Sequence, residues 1–377
     1  MTKPHAMLPD PTHDEQARQD FVRSFRGWLS GTAMPGTHVC YERRVKPAFV
    51  AEHGREPESP AEVRKVMTRD PFYQFWSAMQ RRSQELMWES VIDSTERELD
   101  TLIERARTLG AAADAGGSLT LDPSLEIPHY HTAVDIHIQP GAYHSEFTDD
   151  DVAAGVLYEA GLPIYIGGAM GPHSDAIGTS LVRFAKDRFP DFTPARILDM
   201  GCAVGNSTLP WHEAFPEAEL HGIDVAAPCL RYAHARARDY GVPVHYSQQN
   251  AERTSFDDAS FDLVVSHIML HETSLPALKN ILAETRRLLR PGGLMLHLDV
   301  PRGSEPFEQF MMQWESFNNN ETFSAFMTVA DLPALAAAAG FERDEVSMAR
   351  APADVHDGQK AYSTSEFTWP VLAGRRR

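Results

Sequence analysis

The chain has 377 residues, more than one hydrophobic core usually organises, so two domains are the expectation. Hydrophobic residues make up 42% of it, no apolar run reaches membrane-span length and MTKPHAMLPDPTHDEQ lacks the apolar stretch of a signal peptide, so a cytoplasmic protein without membrane contact is expected. A formal net charge of −18, spread over both halves, argues against nucleic acid as a partner, because such affinity comes largely from neutralising phosphates.

Before residue 170 the pattern is mainly helical. From Asp70 to Leu109 apolar residues recur at helical spacing (Phe72, Phe75, Trp76, Met79, Leu86, Val91, Leu99, Leu102), with Asp70-Pro71 as N-cap and first-turn pair. This predicts one long helix, or two with a kink, ended by Gly110 and AAADAGGS. The stretch LTLDPSLEIPHYHTAVDIHIQPG reads as extended, since Val134, Ile136 and Ile138 alternate with polar neighbours, and a short strand or hairpin is expected there. Asp149, Asp150 and Asp151 then precede a helix, VAAGVLYEAG.

After Gly167-Gly168 strands and helices alternate. ARILDM leads to a helix from about Asn206, ELHGID to APCLRYAHARARDYG, PVHYSQ to a loop, FDLVVSHI to LPALKNILAETRRLL, and Pro291-Gly292-Gly293 turns into LMLHLDV. The helix ADLPALAAAAG follows, and FERDEVSMARA and AYSTSEFTWPVLAG form an antiparallel pair at one edge. Seven strands joined by short connections describe an α/β fold, a doubly wound and mostly parallel sheet. Residues 1–165 are expected to form a mainly helical cap that binds substrate or pairs subunits into a homodimer, and 166–377 the α/β domain.

The segment ILDMGCAVGNST joins a buried strand to a glycine turn that brings the main chain close to a ligand. Ala203 and Asn206 stand where a dinucleotide fingerprint needs glycines, and no Gly-Lys-Ser/Thr follows, so a ligand without a phosphate chain is indicated. Asp224, 25 residues after Asp199, ends ELHGID and offers two acceptor oxygens to a vicinal diol; as a helix N-cap it would be purely structural. Cys40, Cys202 and Cys229 show no metal or disulfide spacing. His129 and His131 would share a face of an extended segment near His137 and His144, yet no local acid or cysteine completes a metal pattern, and no metal is expected.

These motifs, in this order, resemble a class I S-adenosylmethionine-dependent methyltransferase from about Ser174 to Gly374, with Ala203 in place of the usual middle glycine. The resemblance implies a Rossmann-like core and S-adenosylmethionine as cofactor. It places Asp199, Gly201, Ala203 and Gly205 at the methionine portion, Asp224 at the ribose, Asn250 and Ala251 at the adenine, and His267 and Tyr165 against the cofactor. His271, followed by Glu272 after the fourth core strand, is the candidate general base and His267 the second choice. Tyr143, His144 and Glu272 are candidate substrate contacts. The implied acceptor is a small molecule methylated at oxygen; a peptide or protein carboxylate, or a regulatory protein that binds the cofactor without transfer, are the alternatives.

Overall fold

A computed structural model describes residues 4–112, 116–356 and 361–377. The sheet holds β1 (Ser118–Thr120), β2 (Arg196–Met200), β3 (Glu219–Asp224), β4 (Val244–Gln248), β5 (Phe261–His267), β6 (Leu289–Leu298), β7 (Val346–His356) and β8 (Ala361–Arg375). Their order is β1-β4-β3-β2-β5-β6-β8-β7, parallel through β6, with β8 antiparallel to both β6 and β7. The seven expected strands are all present, and β1 makes an eighth.

Strands β2 and β5 are neighbours, yet the chain leaves β2 toward β3 on one side and returns to β5 on the other. Helices diverge at such a switch point, and the crevice they leave at the carboxyl ends of the strands is where ligands bind in doubly wound sheets. Asp199 lies near the end of β2 and His267 ends β5, so the topology alone places both beside this crevice.

The long helix forms without a kink over Pro71–Ala111, capped by the Asp70 carboxylate, which accepts from the amides of Phe72 and Tyr73. Residues 113–115 of its expected stop lie outside the described residues. Before it, helical turns run over 13–53, widened at Leu29–Ala33 and Tyr41–Val45. Each widened turn precedes a proline, Pro35 or Pro47, whose missing amide hydrogen interrupts the regular bonding ladder.

Two expectations need correction. The strand signal at Val134, Ile136 and Ile138 is overridden: His129–Thr132 is one helical turn and Ile136–Ile138 another, with His137 (φ 55°) and Ile138 (φ 51°) left-handed in succession. That reversal is held by the long helix, from which Trp88 Nε1 (2.8 Å) and Gln84 Nε2 (3.3 Å) donate to the His137 carbonyl. His129 and His131 therefore do not share a strand face. The helix expected from Asn206 begins later, at Leu209, because 201–208 is consumed by turns.

The N-terminal helices are knitted to the sheet layer. Leu29, Tyr41, Met67, Tyr73 and Trp76 pack with Phe307, Phe310 and Trp314, which come from the short helices Pro306–Met312 and Trp314–Asn318 after β6. Glu159, on helix Ala153–Tyr165, pairs with Arg236, on helix Ala227–Asp239, at 3.0 Å, both nearly inaccessible. Among the described residues no helix is long and apolar enough to cross a membrane.

Candidate active site

A cavity of about 680 Å³ opens at the switch point. Its floor is the turn after β2, where Gly201 (φ 68°) and Ala203 (φ 45°) are both left-handed. A Cβ at Gly201 would fall 2.4 Å from Met269 Cγ, so glycine is required there by the loop after β5. Asp224 closes this end: Oδ2 accepts from the Ala203 amide and Oδ1 from the Ala226 amide, both at 2.9 Å. The second bond braces the turn ahead of the helix Ala227–Asp239, whose N-cap is Ala226 and not Asp224. Each oxygen keeps a lone pair for a further donor, as a ribose diol requires. Burial pushes the Asp224 carboxyl above its ordinary value, so such donors would stabilise its charge.

Asp199 is buried and engaged on both oxygens, by Thr208 Oγ1 (2.6 Å) and by His267 Nδ1 (3.1 Å). Trp211 Nε1 faces the other His267 nitrogen at 3.5 Å. His267 lines the cavity with both ring nitrogens occupied, an arrangement that positions Asp199 and leaves it no nitrogen for an acceptor. Next to it, Ile268 is a β-branched residue at φ 54°, fixed by its amide bond to the Leu298 carbonyl (2.9 Å).

Not every expected contact reaches the cavity. Gly201, Ala203, Asp199, Asp224, His267, His271, Glu272, Tyr143 and Tyr165 line it, whereas Gly205, Asn250, Ala251 and His144 do not. At Gly205 a Cβ would meet the Tyr246 hydroxyl at 2.2 Å, so this glycine answers to core packing. The Asn250 carboxamide oxygen accepts from the Glu252 amide (2.8 Å) as a turn residue, and Ala251 packs beside the apolar cluster of Leu198, Leu278 and Leu282. The His144 ring lies tilted beside that of His131, itself a lining residue. Tyr165 lies under the Arg26 guanidinium, 4.5 Å from its ring centre.

The opposite end of the cavity is acidic. His271 donates from its amide and Nδ1 to Asp299, the latter at 2.6 Å, and turns Nε2 toward Glu272 Oε1 (3.3 Å) and Glu321 Oε2 (3.7 Å). His137 Nε2 faces the same two carboxylates, Glu321 Oε1 at 3.0 Å and Glu272 Oε1 at 3.3 Å, while its Nδ1 bonds the Tyr143 hydroxyl. Burial opposes the charged imidazolium, but Glu321 and Glu272 raise His137 to about 9, and Asp299 and Glu272 likewise hold His271 well above its ordinary value. Burial and the neighbouring Glu321 push Glu315 up to about 8; Glu321, despite its own burial, is drawn down to about 2 by His137. Burial and Glu321 thus favour the protonated form of Glu315, and His137 the ionised form of Glu321.

Asp299, Glu315 and Glu321 escaped the sequence reading, and His137 entered it only as a member of the histidine cluster for which no metal was expected. Asp299 stood in PGGLMLHLD and His137 in the histidine cluster, so both had a signal that pointed elsewhere; Glu315 and Glu321 belong to no motif.

A family model described as "Methyltransferase domain" matches residues 197–293, the segment from β2 into β6 that builds this crevice. The chain carries a class I S-adenosylmethionine-dependent methyltransferase domain. The methyltransferase domain is similar to demethylmenaquinone methyltransferase of Thermus thermophilus, 33% identical over 119 residues, covering 32% of this chain and 53% of that protein. It is also similar to malonyl-[acyl-carrier protein] O-methyltransferase of Salmonella typhimurium, 28% identical over 133 residues, covering 35% and 49%. Among solved structures, Haemonchus contortus phosphoethanolamine N-methyltransferase 2 in complex with S-adenosyl-L-methionine aligns at 22% identity and a TM-score of 0.34, covering 45% of this chain and 38% of that one. The chain spans about half the length, or less, of the curated relatives it matches.

Proposed function

We propose that this protein transfers a methyl group from S-adenosylmethionine to an oxygen of a small-molecule acceptor. The carrying observation is the single cavity that joins the Gly201–Ala203 turn and Asp224 at one end to the His271–Asp299 pair at the other. Its walls are aromatic and apolar, with Trp88, Tyr158 and Tyr165 supplied by helices of the first 165 residues, a lining suited to a compact organic molecule. In this reading residues 1–165 act as a cap that sets acceptor specificity. Two relatives, by name a demethylmenaquinone methyltransferase and a malonyl-[acyl-carrier protein] O-methyltransferase, lend support to a small acyl or quinone-like acceptor.

The donor, when bound, supplies an electrophilic methyl on a good leaving group, so the protein has chiefly to align and to exclude water. Asp224 would take the ribose hydroxyls on its two free lone pairs, and Asp199, fixed by Thr208 and His267, would face the ammonium. With its Nδ1–H held on Asp299, His271 would take the acceptor's hydroxyl proton at Nε2 in its neutral form, which Asp299 and Glu272 restrict to pH above the ordinary imidazole range. The oxygen forms its bond to the methyl carbon as the carbon–sulfur bond breaks and its electron pair stays on sulfur.

Calorimetry with S-adenosylmethionine and S-adenosylhomocysteine tests the foundation: both should bind one per chain, and absence of binding by either refutes the reading. Transfer of radiolabel from the methyl group to members of a hydroxylated metabolite library, and to no peptide, is the outcome expected next.

A further inference from the structure

We infer that His137, Glu272 and Glu321 bind a divalent first-row metal ion at the acceptor end of the cavity. One ligand atom from each lies within 4.8 Å of the others, and the residues come from three separate parts of the chain: the left-handed turn before the cap's last helix, the turn after β5 and the loop ahead of Ser324–Met327. The two imidazole-to-carboxylate distances, 3.0 and 3.3 Å, match the spacing of neighbouring donors around such an ion, which bonds of about 2.0–2.2 Å set at roughly 2.9–3.6 Å.

Hydrogen bonding points the same way. Glu272 Oε1 is fully enclosed and makes no hydrogen bond among the described residues, although two imidazole nitrogens stand 3.3 Å from it. A buried carboxylate oxygen left so is costly unless something else satisfies it. His137 has its orientation set from outside, by Tyr143 at Nδ1 and by Trp88 and Gln84 at its carbonyl, as ligating histidines are held by partners behind them. No arginine or lysine among the described residues forms an ion pair with Glu272, Glu315 or Glu321, whose charged neighbours are the imidazoles of His137 and His271. One imidazole with two carboxylates suits zinc, manganese or iron(II) better than calcium.

The position gives the ion a task. Its remaining coordination sites face the cavity, where the acceptor's oxygen would bind and lose its proton more readily to the adjacent His271 Nε2; the methyl then adds to that oxygen as the carbon–sulfur bond breaks, the electron pair staying on sulfur. This task rests on the methyl-transfer reading, whereas the site itself does not.

The test uses the full chain, stripped with chelator and titrated with Zn²⁺ by calorimetry and with Co²⁺ by its visible ligand-field band. About one ion per chain is expected, with affinity reduced at least tenfold in Glu321→Gln and His137→Asn. Unchanged S-adenosylmethionine affinity and an unchanged unfolding midpoint of the stripped variants establish that both fold. If neither ion binds the wild-type chain, or if both variants bind as tightly as wild type, the inference is overturned. Zn²⁺ binding with the expected variant losses, but without any binding of S-adenosylmethionine, would keep the metal site and discard the methyl-transfer reading.

Discussion

Replacing Asp224 with asparagine preserves the shape of the side chain and removes its charge and one acceptor oxygen. In the free protein that substitution leaves either the Ala203 or the Ala226 amide facing an NH₂ group where it now has an acceptor at 2.9 Å, at a cost of about 1–3 kcal/mol of folding stability. In the complex it also removes charge-assisted bonds to the ribose hydroxyls, worth together about 2–4 kcal/mol, or roughly a 30- to 1000-fold rise in Kd. Calorimetry with S-adenosylmethionine and urea denaturation of the ligand-free protein separate the two effects, because only the first measurement contains the ribose. A variant that loses stability yet binds within about threefold of wild type would show that Asp224 merely braces the two turns at Ala203 and Ala226, and the ribose assignment would fall.

Three further outcomes are expected. His271→Asn should lower turnover by about 10²-fold or more with cofactor affinity nearly unchanged, and wild-type turnover in that variant would dismiss the base. Glu159, although buried, is drawn down to about 2 by Arg236 and His5, so its contribution of about 3 kcal/mol is complete above pH 4.5 and fades as the pH falls toward 2. Denaturation of wild type and Glu159→Gln at several pH values should show their difference shrinking across that window; a constant difference rules the account out. Gly205→Ala combines a left-handed backbone (φ 73°) with a 2.2 Å clash on the Tyr246 hydroxyl and should cost about 2–4 kcal/mol, part of which Tyr246→Phe restores by removing that hydroxyl, which has no hydrogen-bond partner among the described residues. Equal stability of the single and double variants would locate the whole cost in the backbone.

The sheet was legible because each core strand is a short apolar run followed by turn residues and a helical period, a pattern that long-range packing reinforces. The segment 129–138 was not, because its alternation is real in sequence but cancelled by two left-handed residues that a tryptophan and a glutamine from a distant helix hold in place. At the site, the residues attached to the glycine turn and to the strand ends were readable, since backbone topology alone delivers Asp199, Asp224 and His271 to the crevice. Asn250 and Ala251 were placed by register with a family, and in the structure the loop's own turn chemistry claims the asparagine. Glu315 and Glu321 could not be found by any local pattern. Glu315 sits on the short helix Trp314–Asn318 and Glu321 in the polar connection after it, and the contacts that engage this region, His137 on Glu321 and Trp76 on Trp314, come from distant parts of the sequence.

Strand β1, three residues long, is paired with β4 through Ser118, Leu119 and Thr120, while toward the other side of the sheet the same N-terminal layer packs against Phe307, Phe310 and Trp314, which follow β6. A cover fastened along one margin can swing, but one fastened at two separated points cannot do so without tearing a fastening. Between the helix Ala153–Tyr165 and Ala176, Gly167, Gly168 and Gly171 all hold left-handed conformations while Ala169 and Met170 face the cavity, so this part of its wall is closed by a run of turns, not by a fastened helix or strand.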